Sequence, residues 1–144
     1  MKFLAKYSAA IFLLLSSPFA AAQFAKSGDI RVYANAMLSS QLNADMSQKY
    51  GISRSASNVL LHVVVRKGVP GKDKTLPATI TAVAVHKNGE RSKINMQTTK
   101  DGDDVYYLGE LNISGNEAIN FEILVQVEKL APMRMTFFQE FFSP

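Results

Sequence analysis

Apolar and polar residues alternate along most of this chain, and turn-forming residues break the alternation at short intervals. Ile119, Phe121, Ile123, Val125 and Val127 share one parity, while Asn120, Glu122, Gln126 and Glu128 hold the other. A β-strand sends successive side chains to opposite faces, so this run reads as one strand with a buried and a solvated side. Ile30, Val32, Ala34, Ala36 and Leu38 alternate with Arg31, Tyr33 and Asn35 in the same way. Val59, Leu61, Val63 and Val65 line one face of a second strand, whose other face carries Leu60, His62, Val64 and Arg66. With both faces mostly apolar, that strand is expected to be central.

Further strands are predicted over residues 78–87, along Ile94, Met96 and Thr98, from Val105 to Leu111, and from Met133 to Phe142. Asn88-Gly89 between two of them reads as a tight type I′ hairpin turn. Asp101-Gly102 and Gly115-Asn116 mark the next turns, and residues 68–77, with two Pro and two Gly, form a loop. One segment departs from period two. Leu42 to Gly51 has Asn43 as an N-cap and Gly51 placed to end a short helix. About seven antiparallel strands, with one short helix between the first two and no βαβ rhythm, predict an all-β, immunoglobulin-like β-sandwich. A closed barrel of similar strand number is the alternative.

The start of the chain bears on location. Lys2 and Lys6 precede an apolar run from Ala9 to Leu15, Ser16-Ser17-Pro18 breaks it, and Ala20-Ala21-Ala22 precedes Gln23. That order is a secretory signal peptide, expected to be cut after Ala22, and its apolar run is too short to span a bilayer. No Cys follows the cut to take a lipid, so a single exported domain over residues 23–144 is expected in the periplasm. Such a length buries roughly 65–70% of the unfolded surface and folds without staples. The chain has no cysteine, which excludes disulfides, thiolate zinc sites and thiol catalysis. Losing Lys2 and Lys6 leaves 14 basic against 12 acidic side chains, too even a balance to imply a polyanion partner.

Candidate chemistry is sparse. His62 and His86 are the two histidines, and no Ser stands in a recognisable nucleophile setting, so ordinary half-exposed histidines are expected. Met133 and Met135 share a strand face and, with the histidines, are the soft ligands a copper carrier would use, but core packing explains the same spacing. Asp101, Asp103 and Asp104 lack the spacing of a calcium loop and read as a hairpin tip. Arg66, Lys67, Lys72 and Lys74 make a basic loop interrupted by Asp73, of the kind that is ordinarily solvated. Asp104 and Glu110 are a carboxylate pair to test for action on an envelope polymer.

The closing Phe137-Phe138-Gln139-Glu140-Phe141-Phe142 gives alternation a harder task. With Phe137 and Phe141 facing the core, Phe138 and Phe142 point the other way. Packing beneath a loop or against the helix is the expected outcome, because exposed aromatic patches are uncommon on monomers. The alternative makes Phe138 and Phe142 a partner surface on an edge strand.

Several short motifs carry a resemblance to a known family. They are Gly28-Asp29 leading into Val32-Tyr33-Ala34-Asn35-Ala36, then Tyr50-Gly51-Ile52-Ser53-Arg54-Ser55, Val105-Tyr106-Tyr107-Leu108-Gly109-Glu110, and Phe137-Phe138-Gln139-Glu140-Phe141. In that order the chain resembles a bacterial family labelled domain of unknown function (number 4426), whose members are small exported gammaproteobacterial proteins. The resemblance implies a periplasmic, all-β domain and brings no activity, cofactor or site residue with it. The Tyr50 to Ser55 run is either a structural signature or the lining of a site.

The sequence therefore predicts a non-enzymatic binding module of the cell envelope, with an envelope protein as partner, no nucleic acid and no stable membrane insertion once the leader is removed. No catalytic, cofactor-binding or metal-ligating residue is assigned. Carriage of copper or a small molecule through His62, His86, Met133 and Met135 is the alternative, and an enzyme acting on envelope polymers the second.

Overall fold

A computed structural model describes residues 23–143. The expected leader and its cut after Ala22 lie outside them. In chain order the elements are β1 (Gln23–Ser27), β2 (Ile30–Leu38), a 3₁₀ turn (Ser39–Gln41), α1 (Ala44–Tyr50), β3 (Asn58–Lys67), β4 (Lys74–Thr75), β5 (Thr79–His86), β6 (Arg91–Ile94), β7 (Gln97–Asp101), β8 (Asp104–Asn112), β9 (Glu117–Gln126) and β10 (Met133–Phe141).

All pairings are antiparallel and build two sheets. One runs β1-β2-β3-β8-β7, with β4 pairing the far end of β3, and the other runs β10-β9-β5-β6. Leaving aside the short β1 and β4, the sheet β2-β3-β8-β7 facing β6-β5-β9-β10 has the strand order of immunoglobulin-type domains. The expected sandwich is present.

The core lies between the sheets and follows parity. Val59, Leu61, Val63 and Val65 of β3 are shut from solvent, as are Ala82 and Ala84 of β5 and Ile119, Phe121, Ile123 and Val125 of β9. Phe121 stacks on Phe137 with ring centroids 4.9 Å apart and meets Phe141 edge-on at 6.2 Å. β3 is central, as its two apolar faces require: Leu60 and Val64 on its outer side are buried as well.

Three local expectations need correction. The single strand drawn through Ile94, Met96 and Thr98 is two strands, β6 and β7, in opposite sheets. The chain crosses between them at Asn95 and Met96, and Gly109 of β8 leaves room for the crossing. A side-chain carbon at Gly109 would lie 2.5 Å from both Ile94 Cγ2 and Met96 Sδ. The hairpin at Asn88-Gly89 exists, but it is a three-residue loop rather than a two-residue type I′ turn. The His86 N–H donates to Glu90 O, and only Gly89 in the loop has positive φ, at 88°. Finally, β1 and β4 carry too few apolar residues to signal themselves, and each pairs along the margin of a longer strand.

The helix follows its sequence signals. Asn43 Oδ1 accepts from the Met46 N–H at 2.8 Å, and Gly51 ends the helix at φ 66°, a left-handed conformation that an L side chain would strain.

Candidate functional site

Outward positions on sheet β10-β9-β5-β6 form the first candidate surface. β10 is an edge strand and pairs with β9 in unbroken register from Met133 opposite Val125 to Phe141 opposite Glu117. Its inward residues Met135, Phe137 and Phe141 are buried, and parity turns Phe138 to the outside. Phe138 is 61% exposed and Phe142, just beyond the strand, 66%. The expected burial of these two rings under a loop or the helix is thus overturned. The reason is topological: α1 joins β2 to β3 in the other sheet, and its Lys49 pairs with Asp101 of β7 there at 3.2 Å. Beside Phe138 a shallow groove of about 260 Å³ runs over Val85, His86, Lys87, Ala118, Asn120 and Glu140.

A second, more polar cleft of about 480 Å³ opens at one end of the same sheet, lined by Lys87, Asn88, Asn112 and Ser114 around three joined side chains. His86 ends β5, Ser92 lies on β6 and Glu117 begins β9. His86 Nδ1 is 2.6 Å from Glu117 Oε1, and its Nε2 is 2.9 Å from Ser92 Oγ. Glu117 Oε2 also accepts from the Ser114 N–H at 3.0 Å. Burial works to raise the Glu117 carboxyl, but the hydrogen bonds from His86 and Ser114 outweigh it and hold the group below its ordinary value. Each of the three residues continues the inward parity of its strand, after Ala82 and Ala84, before Ile94, and before Ile119 and Phe121. They are the last inward layer, where the two sheets part and water enters.

The remaining candidates are dispersed. His62 lies in mid-β3 on the outer face of the other sheet, opposite Asn35 and Leu108, with its ring 5.5 Å from that of Tyr106. Burial pushes its pKa down to about 4, so it is neutral at ordinary pH. Asn35 Oδ1 beside it is buried without a hydrogen-bond partner. Met133 and Met135 face the core from β10, and Met135 stands opposite Ile123, whereas His86 is opposite Ile119, four positions along β9. At roughly 3.3 Å per residue that is about 13 Å. The two methionines therefore share one place, and each histidine occupies another. Among the described residues no three His, Asp or Glu side chains cluster so as to hold a metal.

Asp101 and Asp104 pair across the tip of the β7–β8 hairpin, as expected of a turn. Asp104 and Glu110 are six positions apart on β8, and Glu110 accepts from Asn58 Nδ2 at 2.7 Å, so the tested carboxylate pair does not converge. In the basic loop, Arg66 is tied to Asp73 at 3.1 Å, with Arg31 adding a contact at 3.8 Å, while Lys67, Lys72 and Lys74 are exposed. The Tyr50 to Ser55 run carries contacts that hold the segment after α1 in place. Buried Ser39 Oγ donates to Ser53 O and accepts from the Ser55 N–H, and Arg54 reaches Ser40 O.

Ser92 and Glu117 escaped the sequence reading because 86, 92 and 117 follow no motif spacing. The available signal was parity: each is a polar residue placed where its strand's apolar series should continue.

A family profile described as "Domain of unknown function (DUF4426)" matches residues 24–144. A DUF4426-family protein from Pseudomonas aeruginosa PAO1 superposes with a TM-score of 0.72 at 24% identity, over 85% of this chain and 96% of its own. A copper-bound variant of FetP from uropathogenic Escherichia coli strain F11 gives 0.60 at 12% identity, over 88% and 98%. A copper-reconstituted protein from Campylobacter jejuni gives 0.56 at 10% identity, over 85% and 94%. At these identities the likeness shows the fold alone. No curated protein matches the chain. Among the described residues no helix is long and apolar enough to cross a membrane.

Proposed function

The chain belongs to the family described as a domain of unknown function (DUF4426), and we propose that it is a periplasmic binding module that receives an extended segment of an envelope protein along β10. The observation that carries this reading is the pair of exposed rings, Phe138 on an edge strand and Phe142 just beyond its end. Natural sheet edges are commonly blunted by proline, a bulge or an inward charge. Over its nine residues β10 has no proline and no break in register, and its inward positions are Met, Phe and Gln. β1 of the other sheet lies beside this edge, so an added strand uses the backbone donors and acceptors that β1 leaves open, and the rings supply apolar contact.

The test is site-specific photo-crosslinking from positions 138 and 142 in cells of the native host, followed by affinity measurement with the captured protein. Phe138→Ser with Phe142→Ser should weaken that partner at least tenfold while the melting temperature stays within about 2 °C. Absence of any crosslink from both positions, or unchanged affinity, overturns the reading. Sequencing the N-terminus of the exported product tests the location, with Gln23 as the expected first residue.

Copper carriage is a second reading, favoured by the copper named for two proteins of the same fold. The separation of His62 and His86 from Met133 and Met135 weighs against it here. Elemental analysis of the chain purified from its native periplasm decides the matter: a stoichiometric metal supports carriage, and its absence removes it.

A further inference from the structure

We propose that Ser92, His86 and Glu117 form a nucleophile, base and positioning acid that transfer the acyl group of a small ester first to Ser92 and then to water. The proposal goes beyond the binding role of β10 and rests on different contacts.

Proton placement follows from the distances. An ionised carboxylate only accepts hydrogen bonds, so the proton in the 2.6 Å contact between His86 Nδ1 and Glu117 Oε1 sits on the imidazole. A neutral ring with its proton on Nδ1 has its lone pair on Nε2. With the ring in that form, the hydroxyl donates the 2.9 Å contact from Ser92 Oγ to Nε2. This is the arrangement in which a serine can pass its proton to a base as its oxygen attacks a carbonyl. Glu117 is itself held from behind by the Ser114 N–H on Oε2, which fixes the plane of the carboxylate and, through it, the ring.

Three different strands deliver these groups, so the relay depends on the sheet and not on one flexible loop. β5 and β6 are hairpin neighbours, and β9 flanks β5 on its other side. The cleft in front is open to solvent, and its volume of about 480 Å³ lies within the range of small-ligand sites. Lys87, Asn112 and Glu90 also line its walls.

The chemistry balances with water alone. Ser92 Oγ bonds to the ester carbonyl carbon while its proton moves to Nε2 of His86. The bond from that carbon to the alcohol oxygen then breaks, and the proton on Nε2 leaves with the alkoxide as a neutral alcohol. Water attacks the acyl-serine in the same way, giving its proton to Nε2, and Ser92 regains a proton as the acid departs.

The experiment uses the exported chain, residues 23–144, and a fluorophosphonate probe, read by intact mass and peptide mapping. The expected result is one covalent adduct on Ser92, absent in Ser92→Ala and slowed at least a hundredfold in His86→Gln. Glu117→Gln should slow labelling at least tenfold and change its pH profile, with partial rescue by Glu117→Asp. Circular dichroism melts report whether each variant is folded, and wild-type labelling decides the question even if His86→Gln does not fold. A folded wild-type chain with no adduct, an adduct on another serine, or equal labelling of folded His86→Gln overturns the proposal. A relay that only braces the end of the sandwich would give a lower melting temperature in Ser92→Ala and no adduct in the wild type.

Discussion

His62 shows how one side chain takes its chemistry from its neighbours. Burial lowers its pKa from 6.5 to about 4, with Tyr106, Asn35 and Leu108 around it. The unfolded chain protonates His62 below about pH 6.5, while the folded chain resists until about pH 4. Unfolding therefore takes up a proton in that window, and stability falls as pH falls through it. The separation corresponds to at most about 3.5 kcal/mol. Urea midpoints at pH 7.5 and 4.5 should drop for the wild type and drop markedly less for His62→Gln. Equal drops would show that His62 is not the group responsible. A histidine in an alternating strand was legible in the sequence, but its neutrality was not, since that depends on what covers the outer face.

At the scale of elements, the β6–β7 crossing is the most instructive. Ile94, Met96 and Thr98 read as one alternating strand, yet Ile94 seals the core from one sheet while Gln97 pairs with Leu108 in the other. Period-two patterning reports which residues face inward and is silent on which sheet they belong to, because the inward faces of both sheets line the same core. Gly109 is where the structure accommodates the switch. Gly109→Ala should destabilise the domain by about 1–3 kcal/mol, because its new methyl would overlap Ile94 and Met96 and face the Asn95 carbonyl at 3.2 Å. Chemical denaturation measures this, and a variant within about 0.5 kcal/mol of the wild type would show that the crossover yields freely.

For the whole molecule, the two faces of β10 differ in what they contribute to stability. Phe137 stacks on Phe121 in the centre of the core, so Phe137→Ala should cost about 3–5 kcal/mol. Phe138→Ser, one residue along and on the solvent side, should change stability by about 0.5 kcal/mol or less. Thermal and denaturant melts of the two variants test this contrast directly. Comparable losses in both would mean that the outer ring is structural.

Alternation, turn residues and a capped helix were enough by themselves to determine an all-β domain, the central place of β3, and the opposite facing of the two residues in each closing Phe pair. Each of those follows from interactions between residues close in sequence or from the parity of a single strand. Only the tertiary structure decided that Phe138 and Phe142 stay uncovered, and that His86 meets Ser92 and Glu117. Those outcomes depend on which strands become neighbours and on which sheet α1 covers, and a long-range pairing of that kind leaves no local periodicity to read.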